Sequence, residues 1–112
     1  MLQTRGNKLT WLGHSTFRIT TPSGKVIVID PWVQTNPMCP KPLKKFERIE
    51  TMLITHGHFD HMGEALALAK KFKPQIVGIF ETCAWLESCL HNGQNDASQG
   101  RKDRADIARL HL

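Results

Sequence analysis

No apolar run in this 112-residue chain approaches the roughly 20 residues a membrane-spanning helix needs, and the opening Met1-Leu2-Gln3-Thr4-Arg5-Gly6 lacks the apolar core of a secretory signal. Both absences lead us to expect a soluble cytoplasmic protein without a membrane partner. Cysteine is sparse: Cys39, Cys83 and Cys89 form no Cys-x-x-Cys pair, so neither a zinc knuckle nor a disulfide framework is indicated. Cys83 and Cys89, six apart in an expected helix, lie on different sides of it, and all three read as reduced core or surface thiols. The net charge is +5, from 15 Lys and Arg against 10 Asp and Glu, but the basic residues sit in loops and lack a series of interleaved aromatics on which bases stack. Nucleic acid is therefore not the expected partner. Residues 91 to 104 contain almost nothing that enters a core.

What is present is concentrated in Thr55-His56-Gly57-His58-Phe59-Asp60-His61-Met62-Gly63-Glu64. At this chain's His and Asp content, a His-x-His-x-Asp-His pattern arises by chance on the order of once in a thousand such chains. Met52-Leu53-Ile54-Thr55 reads as a buried strand, so His56 and His58 leave its end on the same side, as alternate residues of extended chain do. Gly57 between them permits a tight turn. Asp60 stands where a helix N-cap belongs, ahead of a helix from His61 to Lys71 with Met62, Ala65, Leu66 and Ala69 on one apolar stripe, Lys70 and Lys71 at its negative end, and Pro74 beyond it. A strand end and a helix start thus deliver His56, His58, Asp60 and His61 to one corner. Neutral imidazole with carboxylate suits zinc first, with iron and manganese as alternatives.

The rest of the chain supplies a frame. Leu9 to Leu12, Thr16 to Thr20 and Lys25 to Ile29 read as strands, the last two joined as a hairpin by Thr21-Pro22-Ser23-Gly24. Val33 to Glu50 holds Pro37, Pro40 and Pro42, which forbid a regular element, and Lys41, Lys44, Lys45 and Arg48. That segment is either a solvated basic loop or a substrate entrance favouring an anion. Gln75 to Phe80 reads as a buried strand and Thr82, Trp85, Leu86 and Cys89 as a helix with Trp85 in the core. Alternating strands and helices imply an α/β layer with parallel strands. Ala105 to Leu110 looks helical.

The motif resembles the signature of the metallo-β-lactamase-fold hydrolase superfamily. Gly13-His14-Ser15 and Asp30-Pro31-Trp32 are similar to segments of its branch related to ascorbate-6-phosphate lactonases, the likeness covering about residues 8 to 90. The resemblance implies that His56 and His58 bind one Zn2+ and Asp60 and His61 a second, with Asp60 also catalytic. His14 is then a supporting or substrate-contacting residue, and Asp30 an acceptor orienting a metal histidine. Their plainer readings are a turn histidine bonded to nearby backbone and a turn-capping acid.

The implied fold is the N-terminal β-α half, residues 1 to 90, of an αββα sandwich, incomplete because a polar tail over 91 to 112 replaces the second half. A truncation, or a frame change near Cys89, accounts for that. The implied activity is metal-dependent hydrolysis of a small, anionic ester, lactone or phosphodiester, impaired here. The alternatives are an RNA-processing nuclease of the same superfamily and a non-catalytic fragment, either the product of a decayed gene or a half-domain that persists as a homo-oligomer. His91 and His111 are the later histidines, and neither is assigned a role.

Overall fold

Alternating apolar residues and short turns at Asn7, Gly13 and Gly24 divide the first third of the chain into three strands. These are β1 (Lys8–Trp11), β2 (Phe17–Thr20) and β3 (Val26–Ile29). The computed structural model describes residues 4–92 and 107–110. β2 pairs antiparallel with both neighbours. From β3 onward the pairing is parallel, through β4 (Thr51–Ile54), β5 (Gln75–Ile79) and β6 (Ile107–Leu110), in the order β1-β2-β3-β4-β5-β6. The helices α1 (Phe59–Met62) and α2 (Ala65–Phe72) cross from β4 to β5 and α3 (Phe80–Asn92) leads from β5 toward β6, while the crossover from β3 to β4 is the long loop between them. This is the incomplete α/β half-sandwich that the sequence implied.

The core lies between one face of the sheet and α2 and α3. Val28, Met52 and Ile76 from the strands meet Ala65, Ala69, Cys83 and Leu86 from the helices. Met52, Ile76 and Leu86 are each 0% exposed, and burying such a side chain contributes about 1.5–3 kcal/mol. A second cluster of Leu12, Val33 and Cys39 anchors the loop after β3, and burial pushes the Cys39 thiol up in pKa. No helix among the described residues is long and apolar enough to cross a membrane.

Several expectations give way. The single helix over 61 to 71 is two pieces, because the chain bends at Gly63-Glu64. A Cβ at Gly63 would stand 2.7 Å from the Phe59 carbonyl and 2.9 Å from its ring, so the bend depends on glycine. The N-cap of α1 is His58, and Asp60 sits inside the first turn. The 33 to 50 loop holds one 3-10 turn at Lys41–Leu43, with Pro42 inside it. Trp85 is 50% exposed, because Cys83 and Leu86 take the core-facing side of α3. The segment read as helical is strand β6, where parallel pairing with β5 overrides the local pattern. Of the expected polar tail, His91 and Asn92 belong to α3, His91 being exposed, while 93–106 and His111 lie outside the described residues.

Two of the loop's basic residues work away from the histidine motif. Lys44 Nζ donates to the Gln34 carbonyl at 2.8 Å. Arg48 pairs with Glu50, just before β4 and so at the opposite end of that strand from His56. The Val26 backbone N–H holds the Glu50 carboxyl below the usual carboxylate range against the opposing effect of burial, with help from Arg48. A depressed folded-state pKa means stability that is present above the unfolded value near 4.5 and is lost as pH falls through the folded one. Glu50→Gln should therefore give a shallower loss of stability in urea melts between about pH 5 and pH 3.

Candidate metal centre

The site forms where β3 and β4 end and α1 begins, on the carboxyl edge of the parallel strands, where open α/β sheets place their ligands. Asp30 is its fixed point. It is 3% exposed and holds φ 49°, a left-handed conformation that Asp tolerates better than most residues. Its backbone is pinned on both sides: its N–H donates to the Leu53 carbonyl at 2.8 Å, and its carbonyl accepts from Thr16 Oγ1 at 2.6 Å. Oδ1 accepts from the Thr55 N–H at 2.7 Å, while Oδ2 accepts from Thr55 Oγ1 at 2.7 Å and from His61 Nδ1 at 2.9 Å.

This network sets two tautomers. A carboxylate only accepts, so His61 carries its proton on Nδ1 and turns the lone pair of Nε2 outward. Thr55 spends its hydroxyl proton on Asp30, so it accepts from His56 Nδ1 at 2.9 Å, and His56 is likewise left with a free Nε2. The ring of His56 lies 3.9 Å from that of His61 and 4.6 Å from that of His58, centroid to centroid. Asp60 stands beside His61, with Oδ1 3.6 Å from His61 Nε2 and Oδ2 accepting from His14 Nε2 at 2.7 Å. Partial loss of hydration works against the Asp60 charge, but the His14 hydrogen bond and the nearby His61 outweigh it and hold the carboxyl below the usual carboxylate range.

The donor chemistry fits a divalent cation. His14, Asp60 and His61 each offer a ligand atom within 4.8 Å of the others'. Two ligands of a tetrahedral zinc with bonds of about 2.0–2.1 Å stand about 3.3 Å apart, and the 3.6 Å between Asp60 Oδ1 and His61 Nε2 needs only a small adjustment to match that.

His14, offered by the sequence as a turn histidine or a supporting one, is in contact with Asp60. Its presentation depends on a strained turn, with Gly13 at φ 100° and His14 at φ 51°. A Cβ on Gly13 would come within 2.9 Å of both Asn36 Nδ2 and Met38 Cβ. Gly13→Ala should cost about 2 kcal/mol, from strain and overpacking together, read as a lowered urea midpoint.

Three participants went unremarked in the sequence. Thr55 relays Asp30 to His56. Trp32 packs edge-on against both His14 and Phe59, at 5.6 and 6.0 Å, and Phe59 is 66% exposed, so the two rings make an apolar rim. Glu64 accepts from the backbone N–H groups of Val33 and Gln34, latching the loop that carries Trp32 to the start of α2. The Thr just before the His-x-His and the acid closing the motif were visible signals for two of the three.

Comparison with known proteins gives a consistent result. The model for the beta-lactamase superfamily domain matches residues 8–78, a span that includes His14, Asp30, His56, His58, Asp60 and His61. A UPF0173 metal-dependent hydrolase of Koribacter versatilis (strain Ellin345) is 55% identical over 83 residues, which are 74% of this chain and 36% of that protein. Another, from Solibacter usitatus (strain Ellin6076), is 54% identical over 81 residues, 72% of this chain and 35% of its own length. The solved structure of Igni18, a novel metallo hydrolase from the hyperthermophilic archaeon Ignicoccus hospitalis, superposes with a TM-score of 0.67 at 28% identity, covering 95% of this chain and 40% of that one. The chain spans about a third of the length of the curated relatives it matches.

Proposed function

Because this chain belongs to the beta-lactamase superfamily domain family, we propose that it carries the amino-terminal metal-binding corner of a metal-dependent hydrolase. The observation that supports this reading best is Asp30, a buried carboxylate whose three accepted hydrogen bonds, one relayed through Thr55, leave the Nε2 atoms of His56 and His61 free, the latter 3.6 Å from Asp60 Oδ1. A set of solvated loop histidines has no need of that arrangement.

In this reading His56 and His58 hold one Zn2+, Asp60 and His61 hold a second, and iron or manganese substitutes on the same donor types. Divalent cations so held would supply polarisation of a scissile carbonyl or phosphoryl group and a water molecule whose pKa is nearer neutrality. The chain's own residues do the positioning. Asp30 keeps His61 in one tautomer and, through Thr55, does the same for His56. His14 holds one oxygen of Asp60, and Asp60 orients the attacking water through its carboxylate. Trp32 and Phe59 exclude bulk water along one side. The substrate is a small ester, lactone or phosphodiester, and an anionic group on it would meet the loop cations left after Lys44 and Arg48 are spent elsewhere.

A second reading is favoured by the relatives' length: a chain spanning about a third of them binds metal without turnover. Both readings predict weak zinc binding by the 112 residues alone; the first expects a small but zinc-dependent hydrolysis and the second none, so zinc-dependent turnover separates them. Elemental analysis after dialysis, followed by assay against activated esters and a bis-aryl phosphodiester, tests this. Two tightly retained ions per chain would contradict the expected weakness. A complete failure of zinc to bind at millimolar concentration would remove the metal assignment itself.

A further inference from the structure

His14 meets Asp60, 46 positions further along the chain, from the middle of a turn. Its Nε2 lies 2.7 Å from the Asp60 carboxylate, and its ring stands edge-on to those of Trp32 at 5.6 Å and His61 at 5.5 Å. Such a contact needs a backbone that presents the imidazole in one direction. The turn runs from Gly13 to Thr16. It is closed by the Thr16 N–H on the Gly13 carbonyl at 3.0 Å, with the Leu12 N–H on the Thr16 carbonyl at 2.9 Å behind it.

Those two bonds leave one choice open. In a four-residue turn the peptide between the two middle residues takes no part in the closing bond, and turns of different type differ in which way it faces. Here that peptide joins His14 to Ser15, and its oxygen is the His14 carbonyl. His14 has φ 51° and Ser15 does not share its positive φ, whereas the flipped form places both middle residues at positive φ. A flip would change ψ at His14 and so the rotamers open to its imidazole.

The observed form is the one that the Trp11 indole engages, with Nε1–H donating to the His14 carbonyl at 2.8 Å. An indole N–H donates and never accepts, so it recognises the oxygen side of that peptide alone. Phe at the end of β1 would serve the cross-strand pairing with Phe17 equally and would leave the peptide unheld. On its other side the turn is already anchored. Thr16, 0% exposed, donates its hydroxyl to the Asp30 carbonyl at 2.6 Å and accepts from the Trp32 N–H at 3.2 Å.

We propose that Trp11 is a positioning residue: its indole fixes the central peptide of this turn and thereby holds His14 against Asp60. The assignment rests on the reading in which His14 steadies Asp60 at a metal centre.

Trp11→Phe keeps an aromatic ring at a 51% exposed position and removes the donor, so its circular dichroism should match the wild type. Titration calorimetry with zinc should show an affinity about threefold weaker, the effect of one exposed hydrogen bond acting through a neighbour. The same substitution in a His14→Ala background should produce no further loss, because a residue acting through His14 has nothing to act on once the imidazole is gone. In the metal-free protein, nuclear Overhauser contacts between the His14 and Trp32 rings should weaken in Trp11→Phe, while those between Trp32 and Phe59, 6.0 Å apart, persist. Equal losses of affinity in both backgrounds, an unchanged affinity in Trp11→Phe, or His14 ring contacts that survive the substitution would each overturn the proposal. So would loss of the folded spectrum, by showing that the indole supports the whole sheet and not one peptide. If the wild type binds no zinc, the metal reading falls by itself, and the ring contacts alone decide whether Trp11 places His14.

Discussion

Asp30→Ala is expected to lower stability by about 3–4 kcal/mol, a large share of what a small domain possesses. Three donors lose their acceptor at once, namely the Thr55 N–H, the Thr55 hydroxyl and His61 Nδ1. Each costs about 1 kcal/mol where water replaces the carboxylate poorly. Alanine at φ 49° adds backbone strain that Asp largely avoids. Asp30→Asn should fall near the midpoint between wild type and alanine, because Asn tolerates the left-handed conformation and keeps one acceptor oxygen. Urea melts of the three proteins give the order directly. Zinc affinity, read by titration calorimetry on whatever remains folded, should drop about 10- to 100-fold in both variants as His61 loses its fixed orientation. A loss of less than 1 kcal/mol for alanine would mean that the network is not what holds this corner together.

Removing His61 and removing His14 should have very different effects on metal binding. His61→Ala takes away an imidazole whose Nε2 faces Asp60 Oδ1 at 3.6 Å, so zinc affinity should fall by at least about 100-fold. His14→Ala removes a hydrogen bond to the other oxygen of Asp60, so it should cost about tenfold or less if His14 only steadies that carboxylate. The same titration carries both outcomes, with circular dichroism checking that each variant stays folded. Equal losses would move His14 from steadying Asp60 to ligating metal itself, which the 4.8 Å grouping of His14, Asp60 and His61 makes geometrically reasonable.

The sequence was most legible where chemistry and chain geometry agree. His56 and His58 alternate out of a strand, and alternation is a property of the backbone, so their meeting could be read without any tertiary knowledge. The strand pattern from Leu9 to Ile29 was legible for the same reason. Asp30 could be named, since an acid ending a buried strand needs a partner, but its reach to Thr55 and His61 depends on the parallel pairing of β3 with β4, which no local pattern carries. The failures share a cause. β6 is a strand because β5 offers it an edge, and Trp85 is exposed because two smaller residues of α3 already fill the space under the sheet. Both outcomes depend on where the sheet lies relative to the segment, which no local pattern carries. The bend at Gly63-Glu64 was missed because Glu64 continues the helical pattern while its carboxylate is engaged across the site with Val33 and Gln34.

That last contact bears on how a substrate enters. The segment bearing Trp32 is fastened through Glu64 to a helix whose Ala65 and Ala69 are locked into the core. Swinging Trp32 aside would break several charge-assisted bonds and disturb close-packed side chains. The mouth on that side is accordingly a fixed aperture, and a compound is accepted by fitting its contour rather than by persuading a flap to shut.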